Sequence, residues 1–91
     1  MKKLRPTSKF RKDYKRIEKN PLKVASFAMI AQMLIDEVPI PAQYSPHLLK
    51  GNYKGYMECH IENDFLLIWS DPDTDTIDLI RIGSHSELFK K

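Results

Sequence analysis

The fold of this chain is decided by the segment YKGYMECHIENDFLLIWSDPDTDTIDLIRI, residues 53–82. Three strand-like runs lie in this segment, at residues 53–61, 65–69 and 76–82, and short polar turns separate them. The first run alternates between apolar and polar side chains, whereas the second is apolar throughout, as expected for a strand that is buried on both faces. Because short turns join consecutive strands, we predict an antiparallel three-strand meander.

Alternation also predicts which side chains share a face of this sheet. In the first run the apolar face holds Met57, Cys59 and Ile61, and the polar face holds Tyr56, Glu58 and His60. In the last run strict alternation groups Arg81 with Ile77 and Leu79, although a register error of one residue would reverse the assignment. We place Arg81 on the face away from the core, because a lone arginine is costly in an apolar interior.

The N-terminal part of the sequence predicts a short strand and two helices. Residues 2–6 form the strand, which we place at a sheet edge, and the helices span residues 8–19 and 21–37. Ser8 is a favourable N-cap, and Asn20-Pro21 ends the first helix and begins the second. The apolar stripes of the two helices consist of Phe10, Tyr14, Ile17, Val24, Phe27, Ala28, Ala31, Leu34 and Ile35. We therefore predict an α+β fold in which a helical hairpin covers one face of an antiparallel sheet and leaves the other face open.

Length and composition describe a single globular domain, residues 1–91, with 42% hydrophobic and 30% charged residues. The one cysteine, Cys59, cannot form an internal disulfide, so nothing indicates an oxidising compartment. Charged residues follow the N-terminus where a signal peptide requires an apolar region, and no apolar run approaches the roughly 20 residues of a membrane span. We predict a cytoplasmic protein without a membrane segment.

Charge is distributed very unevenly along the chain. Residues 1–24 hold ten of the fifteen Lys and Arg residues and only two acids, a net charge of +8. Residues 25–91 hold the other five and ten acids, a net charge of −5. A basic segment of this density favours a polyanionic partner such as nucleic acid, although a solvated helix face is the alternative.

Several side chains in the second half could cleave RNA. Attack of the RNA 2′-hydroxyl on the adjacent phosphate needs a base, an acid and positive charge on the phosphate oxygens, which histidine, carboxylate and arginine supply. The candidates of these types are His47, His60, Asp64, Arg81 and His85, and Tyr53, Tyr56 and Phe89 could stack on bases. Each has a simpler interpretation: a solvated loop histidine, a turn aspartate, or a helical turn capped by Ser84. No short-range spacing such as HxxxH supports a metal site from the three histidines and Asp64, so we predict neither metal nor cofactor.

Four motifs in this order resemble the YafQ branch of the RelE-like toxins. They are HLLKGNYKGY at residues 47–56, ECHIEND at 58–64, LIW at 67–69 and RIGSHSELF at 81–89. The resemblance covers nearly the whole chain and implies a RelE-like fold. It also implies a toxin of a type II toxin–antitoxin module, an endoribonuclease that cuts mRNA in the ribosomal A site without a cofactor. The implied partners are the ribosome, mRNA and a cognate antitoxin, with which the toxin forms a higher-order hetero-oligomer.

The resemblance also implies roles for individual residues. His47, His60, Asp64 and His85 match catalytic positions of the family, Arg81 matches its phosphate-binding arginine, and Phe89 matches the aromatic residue that helps to hold the substrate. We favour His85 as the general acid, with Asp64 or His60 as the base. Contacts to ribosomal and messenger RNA are expected from the first helix, through Lys12, Lys15 and Arg16, and from residues 50–56, through Lys50, Lys54, Tyr53 and Tyr56.

The sequence departs from the family pattern at Met57, Asn63 and Phe65, where many relatives have arginine, proline and tryptophan. None of these changes removes a presumed catalytic group, so they bear on cleavage preference and ribosome affinity. Two rival functions exist on the same fold. One is a ParE-like gyrase poison that does not cut RNA, for which the histidines have no evident use. The other is a degenerate toxin that only binds its antitoxin.

Overall fold

The computed structural model describes residues 1–72 and 74–89, which form five strands and three α-helices. The strands are β1 (Lys3–Pro6), β2 (His47–Leu48), β3 (Met57–Glu62), β4 (Phe65–Ser70) and β5 (Thr76–Gly83). The helices are α1 (Ser8–Ile17), α2 (Pro21–Ile35) and α3 (His85–Leu88), with short 3₁₀ turns at Ala42–Tyr44 and Gly51–Tyr53. The predicted turn at residues 71–75 includes Asp73, which lies outside the described residues. No helix in the described ranges has both the length and the apolar composition needed to cross a bilayer.

The predicted meander is confirmed, and two further strands extend it into one sheet of order β1-β5-β4-β3-β2. β3, β4 and β5 pair antiparallel, and β1 lies at an edge as predicted. The prediction of an antiparallel sheet is wrong at that edge, since β1 pairs in parallel with β5. Two helices separate β1 from the meander, so no tight turn fixes its direction. β2, at the opposite edge, is only two residues long and gave no pattern in the sequence.

The helical hairpin covers one face of the sheet, as predicted, but its boundaries and one stripe differ. The helices end at Ile17 and Ile35, and the N-cap of α1 is Thr7, whose side chain accepts from the Phe10 amide, so Ser8 is not the cap. Ile30 is fully buried, whereas Ala28 of the predicted stripe is exposed. α2 is apolar on most of its circumference, so its sequence does not identify the face that contacts the sheet. The buried members of this core are Phe10, Ile17, Ile30, Leu34, Cys59, Ile61, Phe65, Leu67, Trp69, Ile77, Leu79 and Ile82.

A β-bulge in β5 determines where Arg81 lies. The pairing with β4 shifts between Ile68↔Arg81 and Trp69↔Leu79, which leaves one extra residue in β5. Ile77, Leu79 and Ile82 therefore all pack in the helix-side core, and strict alternation grouped Ile77 and Leu79 with Arg81 wrongly. Arg81 itself pairs with Ile68, which packs on the opposite face.

That opposite face is not open as predicted. A second cluster covers it, formed by buried Leu66, Ile68 and Leu88 with Leu49, Tyr53, Tyr56 and Ile80 packed around them. The cover consists of α3 and residues 49–56, which fold over the centre of the sheet. Alternation could not predict this cover, because neither segment has a regular apolar period.

Candidate active site

Three histidines from separate segments form a row, which we call the histidine row: His47, His60 and His85. His47 lies on β2, His60 on β3, and His85 begins α3. The ring centroids of His47 and His60 are 6.0 Å apart, and those of His60 and His85 are 5.6 Å apart. The fold thus brings together the three histidines that the sequence separates by up to 38 positions.

Asp64 lies at one end of the histidine row and holds His85. In the turn between β3 and β4, its Oδ1 accepts the His85 backbone N–H at 2.9 Å and lies 3.0 Å from the ring Nδ1. The hydrogen bond from this backbone N–H, followed by the ring contact, lowers the pKa of Asp64. An ionised carboxylate in this position orients the imidazole through Nδ1 and leaves Nε2 for a proton transfer.

The local sequence around His85 fixes its place. Ser84 and Glu87 form a reciprocal capping box that begins α3 at His85. Gly83 precedes it at φ +152, and a Cβ there would lie 2.7 Å from Glu87 Oε1. A side chain at this position would displace the capping carboxylate of Glu87, and the positive φ also favours glycine. The predicted capped turn at residues 83–89 is therefore confirmed, and it is the element that carries His85.

Glu58, at the other end of the row, is a site residue that the sequence reasoning did not select. It is buried, with 3% of its surface exposed, and its Oε1 lies 3.0 Å from His47 Nε2 and 3.8 Å from His60 Nε2. Its Oε2 is buried and has no hydrogen-bond partner among the described residues. The available signal was its place on the polar face of β3, two residues before His60.

The contacts of His47 require a shared proton between this ring and Glu58. His47 Nδ1 lies 2.6 Å from the Ser45 carbonyl oxygen, which can only accept, so Nδ1 carries a hydrogen. The contact between Nε2 and the Glu58 carboxyl then needs one proton, held by either group. Ser45 adopts a left-handed conformation, φ +50, that few residues other than glycine take up readily. The pair is thus an internal proton donor and acceptor beside His60.

Arg81 is held by a second buried acid, Asp13 of α1, which the sequence reasoning also did not select. Arg81 Nε donates to Asp13 Oδ2 at 2.6 Å, and Nη2 donates to Oδ1 at 3.0 Å. Arg81 Nη1 donates to the Tyr53 hydroxyl at 3.1 Å. The hydrogen bonds to Asp13, ahead of that to Tyr53, raise the pKa of Arg81, so the guanidinium stays charged.

A cleft of about 900 Å³ opens beside Arg81, and we call it the basic cleft. Its lining includes Lys9, Arg16, Lys50 and Arg81, with the aromatic rings of Tyr53 and Phe89. The Phe89 centroid lies 5.8 Å from that of Tyr53 and 6.1 Å from that of His85, so this aromatic residue joins the cleft to the histidine row. Positive charge and stacking surfaces thus continue directly from the histidines.

The predicted RNA-binding residues divide between several surfaces. Arg16 and Lys50 line the basic cleft, as does Lys9, which was not predicted. Lys15 lines a separate apolar groove between α1, α2 and β1, and Lys12 and Lys54 are exposed outside both. Tyr56 packs beside Tyr53, at 6.3 Å between ring centroids, within the second cluster.

Cys59 takes no part in this chemistry. It lies in the helix-side core, and burial, followed by the charge of Glu58, raises its pKa to about 12. A thiol of that kind is neither a nucleophile nor a ready metal ligand near neutral pH.

Comparison with known proteins gives one consistent family. Residues 2–90 match the family described as "Bacterial toxin of type II toxin-antitoxin system, YafQ". The chain is 32% identical over 84 residues to the mRNA interferase toxin YafQ of Escherichia coli K12, covering 91% of this chain and 90% of that protein.

Solved structures agree with this match. The E. coli DinJ–YafQ complex contains a chain that is 30% identical, with a TM-score of 0.85 over 98% of this chain and 99% of that one. A copper-bound mutant toxin from Helicobacter pylori is 35% identical, with a TM-score of 0.86 over 98% of this chain and all of that one.

Proposed function

The chain belongs to the YafQ family of bacterial type II toxins, and we propose that it is an endoribonuclease that cleaves mRNA on the ribosome. The observation that carries this proposal is the continuity of the histidine row with the basic cleft. Proton-transfer groups at one end and an arginine with stacking rings at the other match the needs of RNA cleavage. Its E. coli relative is named an mRNA interferase.

The chemistry is an internal transfer at one phosphate. A base removes the proton of the 2′-hydroxyl, whose oxygen attacks phosphorus, and the bond from phosphorus to the 5′-oxygen breaks. His85 gives a proton to that leaving oxygen from Nε2, because Asp64 holds its Nδ1. The products are a 2′,3′-cyclic phosphate and a 5′-hydroxyl.

His60 is the better candidate for the base. It lies between His47 and His85 in the histidine row. Because its ring is next to that of His85, His60 as base and His85 as acid would flank one reacting phosphate. The proton that it accepts can be stabilised by Glu58, whose Oε1 is 3.8 Å from His60 Nε2. Asp64 is poorly suited to this role, since its lowered pKa makes it a weak base.

Substrate binding uses the basic cleft. Arg81 stabilises the charge that develops on the non-bridging phosphate oxygens, and Tyr53 and Phe89 stack on bases. Lys9, Arg16 and Lys50 neutralise neighbouring phosphates, whereas Lys12, Lys15 and Lys54 serve contacts to ribosomal RNA. Binding should therefore weaken as salt concentration rises.

The chain has a cognate antitoxin as its partner, as YafQ of E. coli has in its complex with DinJ. We place the active toxin in the cytoplasm, where ribosomes and mRNA are its targets. The inhibited form is a higher-order hetero-oligomer of toxin and antitoxin. Of the rival functions, a gyrase poison has no use for the histidine row, and an inactive toxin has no need of one.

The test is single-turnover cleavage of ribosome-bound mRNA with end-group analysis of the fragments. His85→Gln should slow cleavage by about 10²- to 10⁴-fold, and Arg81→Ala by about 10²- to 10³-fold. Lys19→Gln, an exposed residue beyond the end of α1, is the control and should cleave like the unchanged chain. Fragments with 5′-phosphates, or full activity in both variants, would contradict the mechanism. Growth arrest with intact mRNA and broken DNA would instead support the gyrase poison.

The site also supports a second property, the binding of a divalent transition metal. One ligand atom each from His47, Glu58 and His60 lie within 4.8 Å of one another, and the buried Glu58 Oε2 lacks a partner among the described residues. Imidazole and carboxylate suit zinc and copper, and a similar toxin from H. pylori is described as copper-bound. The metal would occupy the nitrogen lone pairs that proton transfer needs, so it would inhibit cleavage.

A further inference from the structure

We infer that Asp13 is a positioning residue that sets the orientation of Arg81 towards the scissile phosphate. This inference rests on the proposed function, because it concerns the arginine of that reaction. It gives the basic helix α1 a role in cleavage in addition to the RNA binding proposed for its lysines and Arg16.

Asp13 is the one acid in α1, a helix otherwise rich in lysine and arginine. Only 2% of its surface is exposed. An acid that only kept the helix surface solvated would lie in water, so the burial of Asp13 needs another explanation. Both of its oxygens are used: Oδ1 accepts from Arg81 and Arg16, and Oδ2 accepts from Arg81 and from the Ile82 backbone N–H. The carboxylate therefore faces β5 with its hydrogen-bonding capacity filled.

These hydrogen bonds determine which N–H groups of Arg81 can still bind a substrate. A guanidinium has five N–H groups in one plane, and Asp13 takes two of them while Tyr53 takes a third. Within residues 1–72 and 74–89, one N–H on each terminal nitrogen is left without a partner, and Arg81 lines the basic cleft. A planar pair of donors matches two oxygens of one phosphate. Asp13 thus determines which edge of the guanidinium meets the substrate.

A purely structural role for Asp13 makes a different prediction. The bond from Ile82 N–H pins α1 to β5, and Thr7 makes a similar anchor, since its hydroxyl donates to the Ile80 carbonyl at 3.2 Å. If anchoring were all that Asp13 did, losing either anchor would affect cleavage in the same way. If Asp13 acts through the guanidinium, its loss should matter only while Arg81 is present.

The experiment is a double-mutant cycle of Asp13→Asn and Arg81→Ala, read by single-turnover cleavage of ribosome-bound mRNA. The amide introduced by Asp13→Asn keeps one oxygen that can still accept the Ile82 N–H, while the second acceptor of the fork is lost. Asp13→Asn should slow the cleavage step by about 10- to 100-fold with little change in half-saturation. In the Arg81→Ala background it should cause no further loss.

Thr7→Val is the matched control, since it removes the Thr7 side-chain bond to β5 and the N-cap bond of α1, and Thr7 has no hydrogen bond to Arg81. It should lower the melting temperature and leave the cleavage rate unchanged. Asp13→Glu is the second variant if Asp13→Asn does not fold, because it keeps the charge but displaces the fork by one methylene group. It should also slow cleavage.

Two results would overturn the inference: losses that multiply in the double mutant, or an equal loss from Thr7→Val. Either result is compatible with the proposed function, because the wild-type chain still cleaves mRNA in those cases. An unchanged chain that fails to cleave overturns the proposed function, and the role of Asp13 with it.

Discussion

Asp13 and Glu58 are both buried acids, exposed by 2% and 3%, yet their surroundings are opposite. Asp13 accepts hydrogen bonds at both oxygens, from two arginines and one backbone N–H. Glu58 has His47 beside one oxygen, and its other oxygen has no partner within the described residues. A buried carboxylate whose two oxygens are both hydrogen-bonded stabilises the fold. A buried carboxylate oxygen without a hydrogen-bond partner lowers the stability of the fold, so its presence needs another explanation.

Burial alone therefore does not identify a functional acid. Asp13 acts at the junction of α1 and β5, and its partners are already fixed before any ligand arrives. Glu58 has room for one more proton or metal ion, at the place where His47 and His60 converge. We therefore expect substitutions of Asp13 to lower stability as well as cleavage, and substitutions of Glu58 to lower cleavage alone.

The largest effect is expected from Asp13→Ala on folding. This change leaves Arg81, which is only 16% exposed, without its ion-pair partner. Removing one member of a buried pair typically lowers the free energy of unfolding by about 3 to 5 kcal/mol. Urea denaturation would measure it, with Glu18→Ala, an exposed acid that caps the end of α1 only through its backbone, as the control. A loss below about 1 kcal/mol, as for surface pairs, would remove the contrast with Glu58.

Glu58→Gln should have the reverse signature. We expect about a 100-fold loss of single-turnover cleavage, because the amide cannot share a proton with His47. The free energy of unfolding should change by less than about 1 kcal/mol, since no filled network is broken. Cleavage and urea denaturation, measured on the same variant, test whether Glu58 contributes to catalysis or to stability. A variant that cleaves normally but unfolds as readily as Asp13→Ala would show that Glu58 stabilises the fold and takes no part in cleavage.

Metal binding tests directly whether the unpartnered carboxylate oxygen of Glu58 can serve as a ligand. Zinc at ten times its dissociation constant should stabilise the folded chain by about 1.4 kcal/mol, and a chelator should reverse this. Glu58→Gln should abolish the shift, whereas His85→Gln should keep it because His85 is not in the ligand cluster. Thermal denaturation with and without zinc is the measurement. Equal stabilisation of the Glu58 variant would place the metal elsewhere.

The sequence predicted this fold better than it predicted the connections within the site. Alternation in residues 57–61 placed His60 opposite the helix-side core, and two apolar stripes predicted the hairpin. Neither buried acid was selected, because burial of a carboxylate depends on partners far along the chain. Asp13 and Arg81 are 68 residues apart.

The bulge in β5 shows the same limit. Alternation assumes that every residue of a strand has one partner, but the extra residue near Ile80 reverses the faces midway. Arg81 was placed away from the core for an energetic reason, and the accompanying grouping with Leu79 failed. The roles of the individual site residues stay predictions that the variants above can test.

The smallest effect concerns Asp64, an exposed carboxylate that contrasts with both buried acids. Its pKa is lowered in the folded chain by the backbone N–H and then the ring of His85. A lowered folded pKa contributes stability above the unfolded value of about 3.9, and that contribution is lost as pH falls through the folded value. Asp64→Asn should therefore melt at a slightly lower temperature than the wild-type chain at pH 7, with the difference shrinking as the pH falls below about 4 and through the folded pKa. Because the pair is exposed, added salt should shrink the difference as well. A difference that stays constant from about pH 7 to about pH 3 would mean that packing of α3, not the charge of Asp64, holds His85.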